Sequence, residues 1–487
     1  MIRAMPGSRA KSEGPGAALT RREFAGLLPV TALARSARPR NVLFVVVDDL
    51  NTALGCYGQP VRTPWVDRLA ARGVTFDRAY CQYPLCQPSR ASFLSGLRPE
   101  TTRVWTLETP TRKYVGDHVF LPEYFRKQGW YTAMVGKVYH TGECCEDPRS
   151  WDEEHREFGK NPPQSEIIQL VKADGPRGHT FEWAMLKTPD ENTPDGIVAR
   201  RAVEIMESMR RMNRPFFLAV GFRRPHAPYA APAKYFDWYP PDRIALPPAP
   251  PKGYRVLPAA LNHEPPPKPL TDRQIREFLA AYYACVSFMD AQFGVIMEAL
   301  DRMGLWDDTV VVFFGDNGYH LGDHGGLWHK NTLFEESARV PLIVWAPGRR
   351  GMGSRCARLV ELVDLYPTLT ELCGLRRPGN LEGTSFVPLL EDPALPWKKG
   401  AFTMQGRGKE RTEAARDIVF VGRSVRTERW RYTEWDEGRQ GIELYDHSSD
   451  PGELQNLAGN PKHRAIEREL QALLRAGWRA ALPAGLG

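Results

Sequence analysis

The chain has 487 residues, 42% hydrophobic and 25% charged, which supplies a sizeable core and excludes global disorder. No apolar run approaches the ~20 residues that a bilayer span requires, which argues against stable membrane insertion. Of the formal charge of +7, residues 1–40 hold most, with eight basic residues against two glutamates; the remainder carries +1, without basic stripe or zinc-finger spacing, so no nucleic-acid partner is expected.

The leader contains Thr20-Arg21-Arg22-Glu23-Phe24, then the short apolar stretch Ala25–Ala34 ending in Ala32-Leu33-Ala34. It resembles a bacterial twin-arginine export signal, which implies the export machinery as a partner and a periplasmic destination. The alternative is a basic tail on a cytoplasmic protein. Asn41–Val47 is an unbroken apolar, β-branched run ending in Asp48-Asp49, the pattern of a strand buried on both faces. Thr63-Pro64 opens a helix as cap and first-turn proline, and Gly73 closes it. Further strands are predicted at Trp130–Val135, Phe216–Gly221, Thr309–Phe314 and Pro341–Trp345. Helices are predicted at Leu121–Gln128, Gly196–Met212, Asp272–Met303 and Leu359–Cys373. Buried strands alternating with amphipathic helices imply an α/β sandwich around a mostly parallel sheet.

Pro240–Pro269 holds eleven prolines in thirty residues and reads as an irregular surface excursion, either facing substrate or simply inserted. Beyond about residue 400, Gly422–Trp435 and Glu443-Leu444-Tyr445 suggest a small antiparallel sheet, with a terminal helix near Lys462–Ala480. The expected division is a leader (1–40), a catalytic α/β domain (41–405) and a small α+β subdomain (406–487). The eight cysteines form no C-x-x-C framework, so reduced thiols are expected, with Cys144-Cys145 on a surface loop.

The sharpest local signal is Cys86-Gln87-Pro88-Ser89-Arg90-Ala91-Ser92-Phe93-Leu94-Ser95-Gly96. Asp48-Asp49 and Asp316-Asn317 each follow a predicted strand, where open α/β sheets place their ligands. Taken singly, such residues are better read as turn formers. Together their oxygens suit a hard cation such as Ca²⁺ or Mg²⁺ rather than zinc. Lys137 and His140 lie in Gly136-Lys137-Val138-Tyr139-His140, His226 in Pro225-His226-Ala227-Pro228, and Lys330 follows the Gly318–His329 loop. Clustered cations and a metal suit a sulfate ester, whose leaving oxygen gains negative charge in the transition state.

The motif at Cys86 resembles the sulfatase signature C-x-P-S-R-x-x-x-L-[ST]-G, and the other segments follow in family order from about Asn41 onward. The resemblance is strongest to the iduronate-2-sulfatase branch, through Asn41–Asp49, Gly136–Thr141, Phe217–Tyr229 and Val421–Trp435. It implies an alkaline-phosphatase-like fold: a large mixed, mostly parallel sheet sandwiched by helices, plus a small C-terminal antiparallel sheet with a helix. It also implies that a formylglycine-generating enzyme oxidises Cys86 to formylglycine, whose hydrated aldehyde attacks sulfur.

By the same resemblance Asp48, Asp49, residue 86, Asp316 and Asn317 bind the metal, usually calcium, with magnesium the alternative. Arg90 anchors the formylglycine hydroxyls, and Lys137 and Lys330 neutralise sulfate oxygens. His226, with Lys330, is the acid for the departing alcohol, and His140 takes the proton that collapses the sulfated intermediate. Asn317 departs from the lysosomal enzyme of that branch, which has histidine there. The implied substrate is a sulfated saccharide or other small sulfate ester, with sulfated uronic acid the leading choice. Arg103, Arg223 and Arg224 are available for its carboxylate. Two rivals stand beside this reading: a phosphodiester or phosphonate hydrolase of the same superfamily, and a non-catalytic glycan-binding protein.

Overall fold

In the computed structural model Asn41–Val47 forms strand β1, apolar at every position because both of its faces are covered. Val42, Phe44 and Val46 enter one core, while Leu43, Val45 and Val47 enter the other, following the two-residue period of a strand. The structure describes residues 41–142, 145–156, 163–174, 180–261, 269–408, 417–483 and 485. The leader with its twin-arginine pattern, and Cys144, lie outside the described residues.

The central sheet also contains Val74–Tyr80 (β2), Tyr131–Gly136 (β3), Glu153–His155 (β4), Phe216–Phe222 (β5), Thr309–Gly315 (β6), Arg339–Trp345 (β7) and Arg355–Glu361 (β8). Their order is β8-β2-β7-β6-β1-β5-β3-β4. β7 runs antiparallel to both neighbours and the other described pairs are parallel. Helices α1 (Pro64–Arg72), α2 (Cys86–Ser95), α3 (Leu121–Lys127), α4 (Pro194–Met212), α5 (Asp272–Met303) and α6 (Leu365–Leu372) cover it. Val66, Met206, Phe293 and Leu300 bring α1, α4 and α5 onto one face; Phe93, Phe125 and Leu369 bring α2, α3 and α6 onto the other. The expected sandwich is observed.

Helix α5 starts on a reciprocal capping box between Thr271 and Gln274. By length and composition it is apolar enough to cross a membrane, but it lies mostly buried in protein, where its apolar surface is already used. The second sheet comprises Ala401–Gly408 (β9), Ile418–Arg426 (β10), Trp430–Trp435 (β11) and Ile442–Asp446 (β12), antiparallel in chain order. Leu470 and Leu474 of α7 (Arg464–Ala476) pack on its Val425, Tyr432 and Leu444. Described parts of the proline-rich excursion cover a cavity of ≈ 470 Å³ beside the ribbon formed by His320–Gly322 and Leu327–His329.

Several expectations need correcting. Leu359–Glu361 is the end of β8, paired in parallel with β2, so the predicted helix at Leu359–Cys373 begins only at Leu365. A short apolar run has no period that separates buried strand from buried helix. β2 itself, Val74–Tyr80, was not anticipated. Thr63 makes no cap: its hydroxyl accepts from the Gly55 amide and donates to Asp67, while Asp290 of α5 accepts from the Trp65 and Val66 amides. Cys145 is disulfide-bonded and buried, not a thiol on a surface loop, whereas Cys56, Cys81, Cys86, Cys285, Cys356 and Cys373 are free.

Candidate active site

Parallel pairing of β1 with β6, Val47 opposite Gly315, ends two strands side by side and delivers Asp48-Asp49 beside Asp316-Asn317. A Cβ at Gly315 would lie 2.3 Å from the Leu50 carbonyl oxygen, so only glycine permits this approach. Asp49 adopts φ +58°, a conformation costly for a non-glycine residue. Its amide donates to Asp316 Oδ1 (3.0 Å) and its carbonyl accepts from the Tyr282 hydroxyl (2.8 Å), which clamps the turn from both ends.

Pairing of β3 with β5 does the same one strand further on, and brings Lys137 and the Arg223–His226 segment to the same sheet end. Lys137 Nζ donates to Asp48 Oδ2 at 2.6 Å. Arg90, fully buried, reaches from α2 to Asp316 through Nε (2.9 Å) and to Asp48 through Nη2 (3.1 Å). Its Nη1 donates to the Lys137 and Val138 carbonyls. Every guanidinium nitrogen is therefore engaged by these groups, and Arg90 here orients the carboxylates.

Cys86 is the first residue of α2, whose extended N-cap Leu85 offers no side-chain acceptor to the first-turn amides, leaving an electropositive helix end at the site. One side-chain atom each of Asp48, Asp49, Cys86 and Asp316 lie within 4.8 Å of one another. Lys330 Nζ lies 3.3 Å from Cys86 Sγ and donates to Asp49 at 2.5 and 2.6 Å. Burial and the adjacent Asp48 push the thiol well above its ordinary value, against the pull of Lys330 and Lys137. Burial would also raise the Asp48 carboxyl, but Lys137, His226, Arg90 and Lys330 together hold it well down.

Asn317 Nδ2 donates to Asp49 Oδ1 (2.9 Å), while its Oδ1 is buried with no partner. A buried orphan acceptor beside three carboxylates is the donor set of a hard cation, so these residues fit the implied Ca²⁺ or Mg²⁺. His226 Nδ1 lies 2.6 Å from the Ala227 carbonyl, which can only accept. In the neutral ring Nδ1 therefore carries the proton and Nε2, 3.6 Å from Asp49 Oδ2, offers its lone pair to the site. His140 Nδ1 is buried without a partner, and burial together with Lys137 pushes this imidazole down to about 2.

Of the carboxylate candidates, Arg224 is committed: it is buried and donates to the His226 and Pro228 carbonyls, both at 2.7 Å, which shapes the His226 loop. The Arg223 and Arg224 amides bind Asp195. Arg103 is exposed beside Tyr114. Sequence reasoning missed Tyr282, which looks like one more apolar residue of a core helix until its hydroxyl is seen on Asp49. Among the described residues two more carboxylate–histidine groups occur, His320/His324/Glu336 and Glu335/His447/Glu453, but Tyr254 engages His324 and Arg431 engages Glu335 and Glu453.

A family model described as sulfatase matches residues 40–375, and one described as N-sulphoglucosamine sulphohydrolase, C-terminal, matches residues 322–479. Iduronate 2-sulfatase of Homo sapiens is 33% identical over 471 residues, covering 81% of this chain and 84% of that protein. A sulfatase of Formosa agariphila is 32% identical over 463 residues, with 89% and 86% covered. Among solved structures, the phosphonate monoester hydrolase of Agrobacterium radiobacter superposes with TM-score 0.74 at 24% identity, covering 90% of this chain and 96% of that one. A protein in complex with its substrate D-glucosamine-2-N,6-O-disulfate gives TM-score 0.73 at 23% identity, with 91% and 98% covered. These two share the fold; the family rests on the sequence matches, which span most of the chain. The chain belongs to the sulfatase family and is a sulfuric ester hydrolase.

Proposed function

We propose that this enzyme removes an O-sulfate from a saccharide, with a uronic acid as the sulfated unit, using a formylglycine made from Cys86 and a divalent cation, Ca²⁺ or alternatively Mg²⁺. The observation that carries the reading is Cys86 itself, buried at a helix N-terminus against three carboxylates and ringed by Lys330, Lys137 and Arg90. A binding module has no use for that cysteine. The similarity to iduronate 2-sulfatase supports the uronate choice.

A cation held by Asp48, Asp49, Asp316 and Asn317 supplies positive charge against the oxygens that develop negative charge during sulfuryl transfer. The aldehyde hydrate at position 86 supplies an oxygen nucleophile with a second hydroxyl that can later be deprotonated. Lys137 and Lys330 bind the sulfate oxygens, and Arg90 keeps Asp48 and Asp316 aimed at the centre. His226, with Lys330 beside it on the same Asp49, is the acid for the departing alcohol. Because its Nδ1 proton is held by the Ala227 carbonyl, His226 serves there only when Nε2 is also protonated, and Lys330 Nζ is the donor beside position 86. By the resemblance to the family motif, His140 accepts the proton of the second hydroxyl. The leader directs the mature enzyme out of the cytoplasm after position 86 is modified.

Sulfate release from defined saccharides, terminal or internal and uronate or hexosamine, tests the substrate. Turnover fastest on a terminal 2-sulfated uronate is expected; preference for a 6-sulfated hexosamine would overturn the uronate assignment. The phosphonate monoester hydrolase neighbour motivates one alternative, a phosphorus ester. Paired assays on a sulfate ester and the matching phosphonate monoester decide between them, and faster sulfate release is expected.

A further inference from the structure

Loop residues 103–114 and strand β10 meet beside the turn that carries Cys86. Leu85, immediately before Cys86, packs with Tyr83 and Met404 and against Trp105, Leu107 and Val421. The Tyr83 hydroxyl donates to the Trp105 carbonyl (2.9 Å), and Gln87 Nε2 donates to the Thr109 carbonyl (3.1 Å) and Thr111 Oγ1 (3.0 Å). The loop is thus fastened to the residues on both sides of position 86. Over it opens a cavity of ≈ 420 Å³ lined by Glu100, Arg103, Trp105, Tyr114 and Arg423.

The composition of this cavity differs from that of the sulfate site. Arg103 and Arg423 are both exposed and neither guanidinium makes an ion pair with a described carboxylate, unlike Arg90, Arg98 and Arg431. Tyr114 is 49% exposed, with the Arg103 guanidinium 5.9 Å and Lys113 Nζ 5.2 Å from its ring centre. Two cations, Arg103 and Lys113, therefore flank one exposed aromatic ring, Arg423 lines the same cavity, and Glu100 is the single acid in that lining. Guanidinium forks match carboxylate and sulfate oxygens in pairs, and an exposed ring with a half-buried indole offers a flat surface to a sugar face.

The geometry points to a second anion-binding subsite, in which Arg103 and Arg423 hold a carboxylate or sulfate on the sugar next to the one losing its sulfate, with Tyr114 and Trp105 beneath the ring. It rests on the saccharide reading above and adds that the preferred substrate is an oligosaccharide with a second negative charge. Arg423 comes from the C-terminal sheet, so this subsite gives that sheet a part in substrate selection.

The test compares wild type, Arg103→Ala, Arg423→Ala and the double variant on three substrates: a small aryl sulfate, a sulfated tetrasaccharide with carboxylates, and the same tetrasaccharide with its carboxylates reduced. A fourth substrate, bearing a neighbouring sulfate in place of the carboxylate, separates the two anions. The expected result is a rise in KM of tenfold or more for each variant on the anionic tetrasaccharide, with kcat little altered and any aryl-sulfate change at least tenfold smaller. Wild type on whichever tetrasaccharide lacks the recognised anion should fall to the level of the variants. Equal KM for wild type and double variant on every tetrasaccharide would overturn the subsite while aryl-sulfate turnover upheld the sulfatase chemistry. Direct binding of the tetrasaccharide to Cys86→Ala protein reads the subsite without turnover. Tenfold weaker binding after Arg423→Ala supports it, and unchanged binding overturns it.

Discussion

Asp49 carries the most demanding backbone of the site, a left-handed aspartate whose two peptide groups are held by Asp316 and Tyr282. Loss of the Tyr282 hydroxyl removes one clamp without disturbing the ring packing against Tyr229 and Tyr319. Tyr282→Phe is therefore expected to weaken Ca²⁺ binding by about 10–100-fold, the usual effect of removing a group that orients a metal ligand. Titration calorimetry on chelator-stripped protein measures it. Global stability should fall by about 1–3 kcal/mol, because the hydroxyl also accepts from the Asn51 amide at 3.1 Å and its loss leaves both backbone groups unpaired. Unchanged metal affinity with that same stability loss would make Tyr282 purely structural. At this scale the sequence made Cys86, Arg90 and the paired acids legible, because their spacing is fixed by a helix turn and two strand ends. Tyr282 was hidden because a hydroxyl inside an apolar helical stripe has no pattern of its own. The hydrogen bonds from Arg90 to Asp316 and Asp48 were equally invisible.

Where β8 ends, a buried charge cluster ties the strand to the turn after it and to two loop residues, Arg98 and Lys398. Arg98 forks onto Glu361 at 2.7 and 2.8 Å, while Lys398 Nζ reaches both Glu361 and Asp364 at 2.7 Å. Lys398→Met leaves two buried acids to one arginine and is expected to cost about 3–5 kcal/mol, read from urea unfolding. Burial alone would raise the Glu361 carboxyl, but Arg98 and Lys398 bring it down to about 2 from an ordinary 4.5. A depressed folded value means stability that is fully present above pH 4.5 and is lost as pH falls toward 2. Burial raises neighbouring Asp364 despite Lys398, so its contribution runs the opposite way. Glu361→Gln should flatten the acid limb of stability between those two pH values; an unchanged limb would contradict the role given to Glu361. Leu359–Glu361, expected as helix from the sequence, is strand here. Apolar periodicity cannot report that Leu359 and Val360 pair with β2. Long elements with their own end signals, such as α5, were legible to the residue.

Across the whole molecule the central sheet and the C-terminal sheet are joined through ion pairs. Arg431 of β11 binds Glu335 and Glu453, His447 binds Glu453, and the Glu335 amide donates to Glu453. Arg431→Met is expected to destabilise by about 3 kcal/mol, seen by calorimetry, because it leaves the buried Glu453 to His447 and the half-buried Glu335 to Arg426 alone. The architecture was legible as a class from strands and helices alternating in order. Most of the excess charge of +7 is traceable to the leader, leaving a nearly neutral body in which cations line both the sulfate site and the Arg103–Arg423 cavity. Stability should also respond to metal: a free Ca²⁺ concentration 100 times its Kd should add about 2.7 kcal/mol over chelator-treated protein. No stabilisation by either Ca²⁺ or Mg²⁺ would remove the cation from the account. The most direct test of the central claim is the mass of the peptide spanning position 86, measured in fractions of known specific activity. Sulfate release should scale with the share of aldehyde at that position and vanish in thiol-only protein; full turnover by thiol-only protein would contradict the mechanism.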